Sequence, residues 1–490
     1  MKIIVCTKFI QGELNPFDAA ALECALELAD ARTDGADPVS VFVLGMGPMA
    51  WLEPMTRLTR LGKSGNLRAV LLSDQAFAGS DTLATSRILA AAIRKLEAEN
   101  EGLADWIFCG RQTIDGDTAQ VGPELAALLG RGLVTHAMEI SNIFQKTGET
   151  QTLSTRLGRE TVTLPAVLTL ERIRELRFPS LRSRPGPVTV WNREQLGLPP
   201  SLCGAAGSPT RVLKTFTSEH GRRHCQWLEP EEFLPLLEAL RQKPKAGLTI
   251  PPGDVRLPLV YAVGHEVEAQ ARAIADEVIF VEKSTPQVIA EAVRNAEAVL
   301  WNADLWGRRT APQTAALLGT GLCADCTALE TDGKTLFLYR PARSGDILAK
   351  IECQTRPQMA TVRTVGQSAD VILAGGRGIA GQWAALCRLA ENLQAEPAAS
   401  RALVDSGNVP YEFQVGLTGR NVSPKIYVAI GISGAVQHTC AIETSDVIFA
   451  VNPDRNARIF EYADYGIPCG FQDFIPIVLP PTPNPKGDLP

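Results

Sequence analysis

The sequence has little charge, few aromatic residues and no long uninterrupted apolar run. Of its 490 residues 21% are charged, 6% are aromatic and 45% are hydrophobic, so long disordered segments are not expected. The net charge of −6 gives no general electrostatic footprint for nucleic acid or a membrane surface. Nothing approaches the roughly 18 consecutive apolar residues of a membrane span, and the apolar run in MKIIVCTKFI is too short for a signal peptide. We therefore expect a cytoplasmic protein with no stable membrane insertion and no nucleic-acid partner.

The 11 cysteines form an odd set without the spacing of a disulfide framework, so reduced, buried thiols are expected. Cys323 and Cys326 have CxxC spacing, but no second pair lies at metal-ligand distance. His220, His224 and Cys225 have ligand-like spacing with few partners nearby, which favours a solvated turn. The sequence predicts no metal site.

Three blocks of alternating strand and helix patterns predict an α/β protein of three domains. Short apolar runs separated by helix-length segments, as at residues 3–6, 40–44, 69–72 and 106–109, are typical of parallel sheets covered on both faces. Asn15 and Pro16 predict the start of a helix over 17–31. The predicted parts are two nucleotide-binding-like α/β domains at 1–184 and 255–365, a doubly wound domain at 366–490, an arm with a helix but no set of strands at 185–243, and a linker at 244–254.

The last domain carries a glycine-rich loop between two predicted elements. Gly376, Gly378 and Gly381 have GxGxxG spacing after a strand at 371–374 and before a helix at 382–393. Such a loop lets backbone amides approach a pyrophosphate at a helix N-terminus. Alone it suggests a nicotinamide dehydrogenase, with Asp405 after a strand at 402–404 as the ribose-binding acid. The alternative is that the glycines serve only a tight turn.

Longer motifs carry a more specific resemblance. The segments SRALVDSG, VPYEFQVGLTG, YVAIGISGAVQH, AVNPD and FEYADYG closely resemble the FAD domain of the electron-transfer flavoprotein alpha subunit. Upstream, LGTGLCADCTAL and RPQMATVR resemble the end of that subunit's first domain. The beta subunit is similar to NPFDAAALECAL, GRQTIDGDTAQVGPELA, LPAVLT and GSPTRVLKTF. The resemblance implies that both subunits are fused in one chain, beta first, with a trimmed alpha N-terminal domain at 255–365.

The resemblance also implies the flavin site. Arg401 would lie beside the flavin ring and His438 near its O2, where a cation and a donor favour the reduced ring and raise its potential. On the residues alone, His438 would be a satisfied helix histidine. Leu417, Gly470 and Asn408 depart from the family pattern, which implies a shifted potential. The implied FAD contacts are Arg377, Ser400, Arg401, Val415, Gly416, Thr418, Ser433, Gly434, Gln437, His438 and Asn452.

A second nucleotide is implied for the first domain. On the residues alone, the polar loop at 110–122 is a helix N-terminus capped by Asp115 or Asp117. The resemblance instead implies an adenine-nucleotide site, and AMP and a second FAD both stay open as its ligand. A short segment at 8–15 weakens the second-FAD alternative. The implied residues are Cys6, Asn15, Pro16, Phe17, Met46, Gly110, Gln112, Asp115, Gly116, Asp117, Thr118, Gln120 and Val121.

The predicted function is that of an electron carrier rather than an enzyme with its own substrate, so no catalytic residue is assigned. The donor would be a flavin-dependent dehydrogenase, docked through Leu181 with Arg177, Arg182 and Arg184 around it, and the acceptor a redox partner such as a quinone oxidoreductase. An ordinary loop leucine is the alternative for Leu181. Alternative functions are an NADH-oxidising, electron-bifurcating protein with two FADs and a non-redox adenine-nucleotide sensor.

Overall fold

The structure, a computed structural model, divides into two compact units. The first combines described residues of 1–216, 252–343 and 347–362, and the second those of 217–251 and 363–490. The predicted linker at 244–254 lies outside the described residues. Within the described ranges, no helix combines the length and apolar character that crossing a membrane requires. The described residues are 1–31, 38–62, 67–140, 143, 145–156, 158–171, 174–217, 222–243, 255–342, 347–364, 369–407, 409–416, 419–420 and 422–479.

The first unit contains a nine-stranded sheet formed by residues 1–191. Its strand order is β11-β5-β4-β1-β6-β10-β7-β8-β9, parallel up to β7 and antiparallel beyond it. The elements up to residue 217 are β1 (Lys2–Thr7), β2 (Phe9–Ile10), β3 (Glu13–Leu14), α1 (Pro16–Asp30), β4 (Ser40–Met46), α2 (Leu52–Leu58), β5 (Leu67–Leu72), α3 (Thr82–Glu99), β6 (Trp106–Gly110), α4 (Val121–Leu129), β7 (Gly132–Glu139), β8 (Thr150–Thr155), β9 (Gly158–Thr163), β10 (Ala166–Leu170), β11 (Val188–Trp191), α5 (Gly204–Gly207) and β12 (Thr210–Thr217).

Both faces of this sheet are buried, as its continuous apolar strands require. In β1, Ile3 and Val5 belong to one hydrophobic cluster, and Ile4 and Cys6 belong to another. Helix α1 covers the first face and begins as the sequence predicts, with Pro16 in its first turn. Parallel α/β architecture is thereby confirmed for this part of the chain.

The arm, expected to offer no set of strands, supplies single strands to the edges of three different sheets. Strand β11 pairs in parallel with β5, and β12 joins the edge of a second sheet in the first unit. In the second unit the arm supplies β13 (Gln226–Trp227) and α6 (Phe233–Arg241), the latter matching the predicted helix. These strands are largely exposed, so they carry no clear apolar alternation that a sequence pattern could reveal.

Residues 257–362 complete the first unit with two sheets. One is parallel in the order β15-β14-β16-β21-β17, and the other, β12-β20-β19-β18, contains the antiparallel pairs β18–β19 and β19–β20. The elements are β14 (Leu257–Val263), α7 (Glu268–Ile274), β15 (Ala275–Val281), α8 (Pro286–Val293), β16 (Ala298–Asn302), α9 (Leu305–Leu318), β17 (Leu322–Cys326), β18 (Ala328–Thr331), β19 (Leu336–Ala342), β20 (Ile347–Cys353) and β21 (Gln358–Val362).

The second unit is a doubly wound parallel sheet in the order β13-β27-β26-β25-β22-β23-β24. When the strands are numbered along the chain from β22, the sheet has the order 3-2-1-4-5-6 from β24 to β27. The topological switch point therefore lies between β22 and β25. The predicted strand at 402–404 is wrong: the strand is β23, and the following residues form α11. The elements are β22 (Val371–Gly375), α10 (Trp383–Asn392), β23 (Glu396–Ser400), α11 (Arg401–Val404), β24 (Gln414–Val415), β25 (Ile426–Ile430), α12 (Val436–Thr439), β26 (Val447–Val451), β27 (Tyr465–Ile467) and α13 (Phe471–Val478).

Candidate nucleotide sites

Two loops meet at the switch point of the second unit, where open α/β sheets bind ligands. The amide of Gly376 donates to Ile430 O across 2.8 Å, and that of Gly378 donates to Gly431 O across 3.0 Å. A Cβ at Gly376 would lie 2.2 Å from Gly431 O. These two glycines are therefore needed for the loops to touch. Gly381 differs, because its φ is +80° and nothing lies within 4 Å of a Cβ built there.

The turn after β24 packs against the residue before His438. Gly416 has a φ of +140°, and a Cβ there would lie 3.0 Å from Gln437 O. Val415 is fully buried beside it. The structure therefore brings Val415, Gly416, Gln437 and His438 together. Thr418, with Leu417 and Asn408, lies outside the described residues.

His438 is a buried imidazole with one satisfied nitrogen. Its Nε2 lies 2.9 Å from Tyr427 Oη. Nδ1 is buried and makes no hydrogen bond of good geometry to the described residues. Burial lowers the pKa of His438 to about 4, and a hydrogen-bond contact with the backbone of Val415 opposes this only in part. The ring is therefore neutral near pH 7, with one nitrogen left for a further group.

Three other predicted flavin contacts cluster beyond β25. Asn452 Nδ2 donates to Ile432 O across 2.9 Å, and Ile459 N donates to Ser433 O across 3.2 Å. Gly434 has a φ of +86°, and a Cβ there would lie 2.0 Å from Ile459 N. The chain therefore crosses the ends of β25 and β26 tightly, which requires glycine at this position.

The remaining predicted contacts follow β22 and β23. Arg377 is exposed in the 3₁₀ turn after β22, and Ser400 is the residue before α11. Arg401 begins α11, and its Nε lies 3.1 Å from Asp405 Oδ2. Asp405 therefore faces a cation, which argues against its role as a ribose-binding acid.

The first unit contains a cavity of about 410 Å³ at the carboxyl ends of β1 and β6. A cavity of this volume lies toward the small end of ligand pockets, which span roughly 300–1,000 Å³. The predicted residues that line it are Cys6, Met46, Gly110, Gln112, Gly116, Thr118, Gln120 and Val121.

The other predicted residues of this site are absent from the cavity wall, and three of them hold the loop that forms it. Asn15 Nδ2 donates to Gln112 O across 3.0 Å rather than capping α1. Asp115 pairs with Lys8 across 2.6 Å, and Asp117 accepts from Gln112 Nε2 across 2.8 Å. Neither acid caps α4, whose N-cap residue is Gln120. Pro16 and Phe17 are residues of α1.

Sequence reasoning missed a second wall of the cavity. Part of it follows the carboxyl end of β5, where the ends of neighbouring parallel strands meet, and this rule could have found it. The missed lining residues outside the loop at 110–122 include Thr7, Lys8, Asp18, Phe77, Gly79, Ser80, Asp81, Thr82, Thr85, Leu89 and Cys109.

Two buried carboxyl groups lie at or behind this cavity. Asp18 accepts from the amides of Lys8 and Gly110 across 2.9 and 3.2 Å, yet burial raises its pKa to about 7. Burial likewise raises the pKa of Glu124 to about 8, although Ser86 Oγ donates to it across 2.7 Å. Each group therefore holds a proton at pH values where an exposed carboxyl is ionised.

A hydrogen-bond chain runs from Glu124 to the neighbouring sheet of the same unit. Thr82 Oγ1 lies 3.0 Å from Glu124 Oε1 and 2.8 Å from Gln120 Oε1. Gln120 Nε2 then donates to Leu322 O across 3.1 Å. A protonated Glu124 fits this chain, because it can donate to Thr82 while Thr82 donates to Gln120.

Comparison with known proteins identifies the family. Residues 3–196 and 260–365 match the electron transfer flavoprotein domain, and residues 367–443 match the electron transfer flavoprotein FAD-binding domain. The chain belongs to the electron transfer flavoprotein family. The resemblance seen in the motifs is confirmed at this level, with FAD as the cofactor of the second unit's domain, and the dehydrogenase interpretation of the glycine-rich loop is set aside.

Relatives of several kinds are similar to parts of this flavoprotein chain. The electron transfer flavoprotein subunit alpha of Thermoanaerobacterium thermosaccharolyticum is 34% identical over 44% of this chain and 84% of its own. Protein FixA of Azorhizobium caulinodans is 36% identical over 47% of this chain and 84% of its own. The caffeyl-CoA reductase-Etf complex subunit CarD of Acetobacterium woodii is 38% identical over 42% and 75%.

In this member of the family, the loop around Leu181 presents two large apolar side chains to solvent. Leu181 is 100% exposed and Phe178 is 95% exposed. Ser183 donates through its amide and its hydroxyl to Ser180 O, which closes the turn around Leu181. Arg177 was expected beside Leu181 in a charged rim, but it pairs with Glu23 and Asp30 of α1.

Described cysteine, histidine and acidic side chains form no group of three or more that could hold a metal ion. All the cysteines are free thiols, and Cys323 and Cys326 are buried in the first unit. Burial raises the pKa of the Cys326 thiol well above its usual value. Such a thiol is unreactive, because the thiolate is the nucleophile.

Proposed function

We propose that this chain is a fused electron transfer flavoprotein with a beta-like half followed by an alpha-like half. It would carry electrons from a flavin-dependent dehydrogenase to a second redox partner such as a quinone oxidoreductase. The observation that carries this proposal is the buried, half-satisfied imidazole of His438 within the FAD-binding domain. FAD, when bound, supplies the chemistry of accepting and releasing electrons.

The residues of the second unit fit a flavin dinucleotide. Glycine-rich loops follow β22 and β25 at the switch point, where open α/β sheets bind ligands, although the amides of Gly376 and Gly378 already bond to the other loop. His438 Nδ1 offers a buried polar atom without a hydrogen bond of good geometry, and a group that bonded to it would reduce the cost of its poor pairing. Arg401 would bring positive charge beside the ring. The proposed contacts are the residues named from the resemblance.

The fusion is supported by the two separate segments that match the flavoprotein domain, followed by the FAD-binding domain. The proposed domain limits are 1–184, 255–365 and 366–490, and the arm at 185–243 and linker at 244–254 would join the halves. Covalent linkage would hold both halves at high effective concentration.

AMP is the proposed ligand of the first unit's cavity. A volume of about 410 Å³ favours a mononucleotide over a much larger dinucleotide. The Lys8–Asp115 pair and the bond from Arg340 to Gly116 O, across 2.8 Å, hold the loop on one side of the cavity. A second FAD, and with it an electron-bifurcating function, would need this loop to open.

Leu181 and Phe178 are the proposed contact points for the dehydrogenase. Exposed apolar side chains next to the cations Arg182 and Arg184 suit an apolar groove with an acidic rim.

Nucleotide content tests the proposal directly. The purified chain should show a flavin absorbance spectrum, and extraction with mass identification should yield one FAD and one AMP per chain. A Thr85→Trp variant, which fills the cavity from α3, should lose AMP and keep FAD. Two FADs per chain would instead indicate the bifurcating function, and a colourless protein with AMP alone would indicate a nucleotide sensor.

A further inference from the structure

Tyr427 and His438 form an isolated polar pair inside the second unit. Tyr427 lies on β25 with no exposed surface, and its Oη is 2.9 Å from His438 Nε2 on α12. The other members of its hydrophobic cluster are apolar, among them Ile372, Val415 and Ile442. A buried polar pair in such a cluster indicates a functional role, because two apolar side chains would pack there without requiring any hydrogen bond.

We propose that Tyr427 is a positioning residue that fixes the tautomer of His438, so that Nδ1 carries the ring proton and is available as a donor to the flavin. This inference rests on the proposed function and adds a residue to it. Tyr427 acts only through His438.

The direction of the hydrogen bond follows from the proton count. The described residues give the Tyr427 hydroxyl no hydrogen bond other than the one to His438. A buried phenol keeps its proton, since burial raises the pKa of Tyr427 well above its usual value. Its O–H must therefore donate to Nε2, and a neutral imidazole that accepts at Nε2 carries its proton on Nδ1. The opposite tautomer would leave the hydroxyl proton without an acceptor, whereas the favoured one has the Val415 backbone as a hydrogen-bond contact for its ring proton.

The charged groups around the pair leave this tautomer in place across neutral pH. Arg420 lowers the pKa of Tyr427 but is itself paired with Glu396. Arg363 reaches the same turn, where it donates to Cys440 Sγ across 3.4 Å. The backbone of Val415 makes a hydrogen-bond contact with His438 that raises its pKa, as a carbonyl that accepts from a ring N–H does. A neutral, fixed donor of this kind stabilises a ring that gains negative charge on reduction and needs no protonation event.

Tyr427→Phe tests this proposal, because it keeps the ring and removes the O–H. In the parent protein, ¹⁵N-histidine NMR should show His438 protonated on Nδ1 with a constant signal from about pH 5.5 to 8.5; His438→Gln assigns the signal. Tyr427→Phe should shift the tautomer toward Nε2–H and lower the flavin midpoint potential. Tyr465→Phe, in the neighbouring β27 of the same sheet, should change neither.

Two results would overturn the proposal: a parent protein protonated on Nε2, or a Tyr427→Phe variant with both tautomer and potential unchanged. The parent measurement decides even if the variant does not fold. The ¹⁵N signals of His438 report the tautomer whether or not flavin is bound. A purified protein without flavin would therefore contradict the proposed function, but it would leave the tautomer measurement valid as a test of the role of Tyr427.

Discussion

Arg401 and Asp405 form an ion pair across one turn of chain at the end of β23, with Nε and Oδ2 3.1 Å apart. Arg401 is the cation proposed to lie beside the flavin ring, and about a third of its side chain is exposed. Asp405 partly offsets its charge. The two residues should therefore tune the flavin in opposite directions.

Arg401→Ala should lower the flavin midpoint potential, and Asp405→Asn should raise it. Removing the cation destabilises the reduced, more negative ring, whereas removing the anion leaves Arg401 less compensated. A shift of about 30 mV in a two-electron couple corresponds to about 1.4 kcal/mol, and solvent screening should keep both shifts to tens of millivolts. Spectroelectrochemical titration measures them.

The double variant provides the control for this pair. Its potential should lie near that of Arg401→Ala, since Asp405 acts mainly by compensating Arg401. Shifts of the same sign in both single variants, or no shift in Arg401→Ala, would remove Arg401 from its tuning role.

The stability of the first unit should fall as pH rises from about 5 to 8, in part because of Glu124. Its pKa is raised by burial to about 8, so the folded chain keeps a proton that the unfolded chain releases above about pH 4.5. A raised acid pKa contributes stability that is present at low pH and lost as pH rises through the folded value. Glu124 alone should lower the free energy of unfolding by at most about 1.4 kcal/mol per pH unit.

Glu124→Gln keeps the shape of the neutral acid and should flatten this dependence in urea unfolding measured at several pH values. Asp18 contributes in the same direction, so the comparison is between slopes of the variant and the parent. Glu13→Gln, at an exposed position of the same unit, should leave the slope unchanged. Identical slopes for Glu124→Gln and the parent would show that Glu124 is ionised in the folded protein.

The elements that sequence alone could predict are those whose burial is continuous. Strands β1 and β25 are buried on both faces, so their apolar runs fix them within a residue or two. By contrast β23 reads EPAAS, with no β-branched residue, and it is a strand because it pairs with β22. Pairing between distant segments overrides local propensity there.

The residues of the nucleotide sites show the same contrast between what local sequence reveals and what only the fold brings together. Loops following predicted strands could be found from motifs, as Gly110 and Gln120 were. Phe77 and Thr82 reach the cavity only because β5 lies two places from β1 in the sheet. Likewise Tyr427 reads as one more apolar strand residue, and only the fold brings its hydroxyl to His438.

Ala119→Gly should stabilise the first unit in the absence of nucleotide. Ala119 has a φ of +55°, in the left-handed region that costs a residue with a Cβ about 1–2 kcal/mol. Glycine removes this strain but loses more backbone entropy on folding, so a net gain of roughly 0.5–1 kcal/mol is expected. Chemical denaturation measures the gain.

A matched variant in the adjoining helix distinguishes strain relief from a general effect of glycine. Ala126→Gly, in α4, should lower the free energy of unfolding by about 1 kcal/mol or more, because helical φ gives glycine no advantage. The Ala119→Gly loop should also bind AMP more weakly, since it loses preorganisation. Destabilisation by Ala119→Gly would mean that the left-handed conformation forms only with nucleotide bound.

Leu181→Ala should weaken electron uptake from the dehydrogenase without affecting the fold. The Leu181 side chain is fully exposed, so the free energy of unfolding should change by less than about 0.5 kcal/mol. An anchor that fills a partner pocket is worth about 1–2 kcal/mol or more, which predicts a roughly 5- to 30-fold loss in kcat/KM for the dehydrogenase with this chain as acceptor. Phe178→Ala should act similarly.

Val212→Ala, at an exposed apolar position on β12, should have no effect on this electron uptake. Flavin reduction by a small chemical reductant should be unchanged in all three variants, because none of these positions belongs to the proposed flavin site. Equal losses in Leu181→Ala and Val212→Ala would point to a nonspecific surface effect and remove the anchor role.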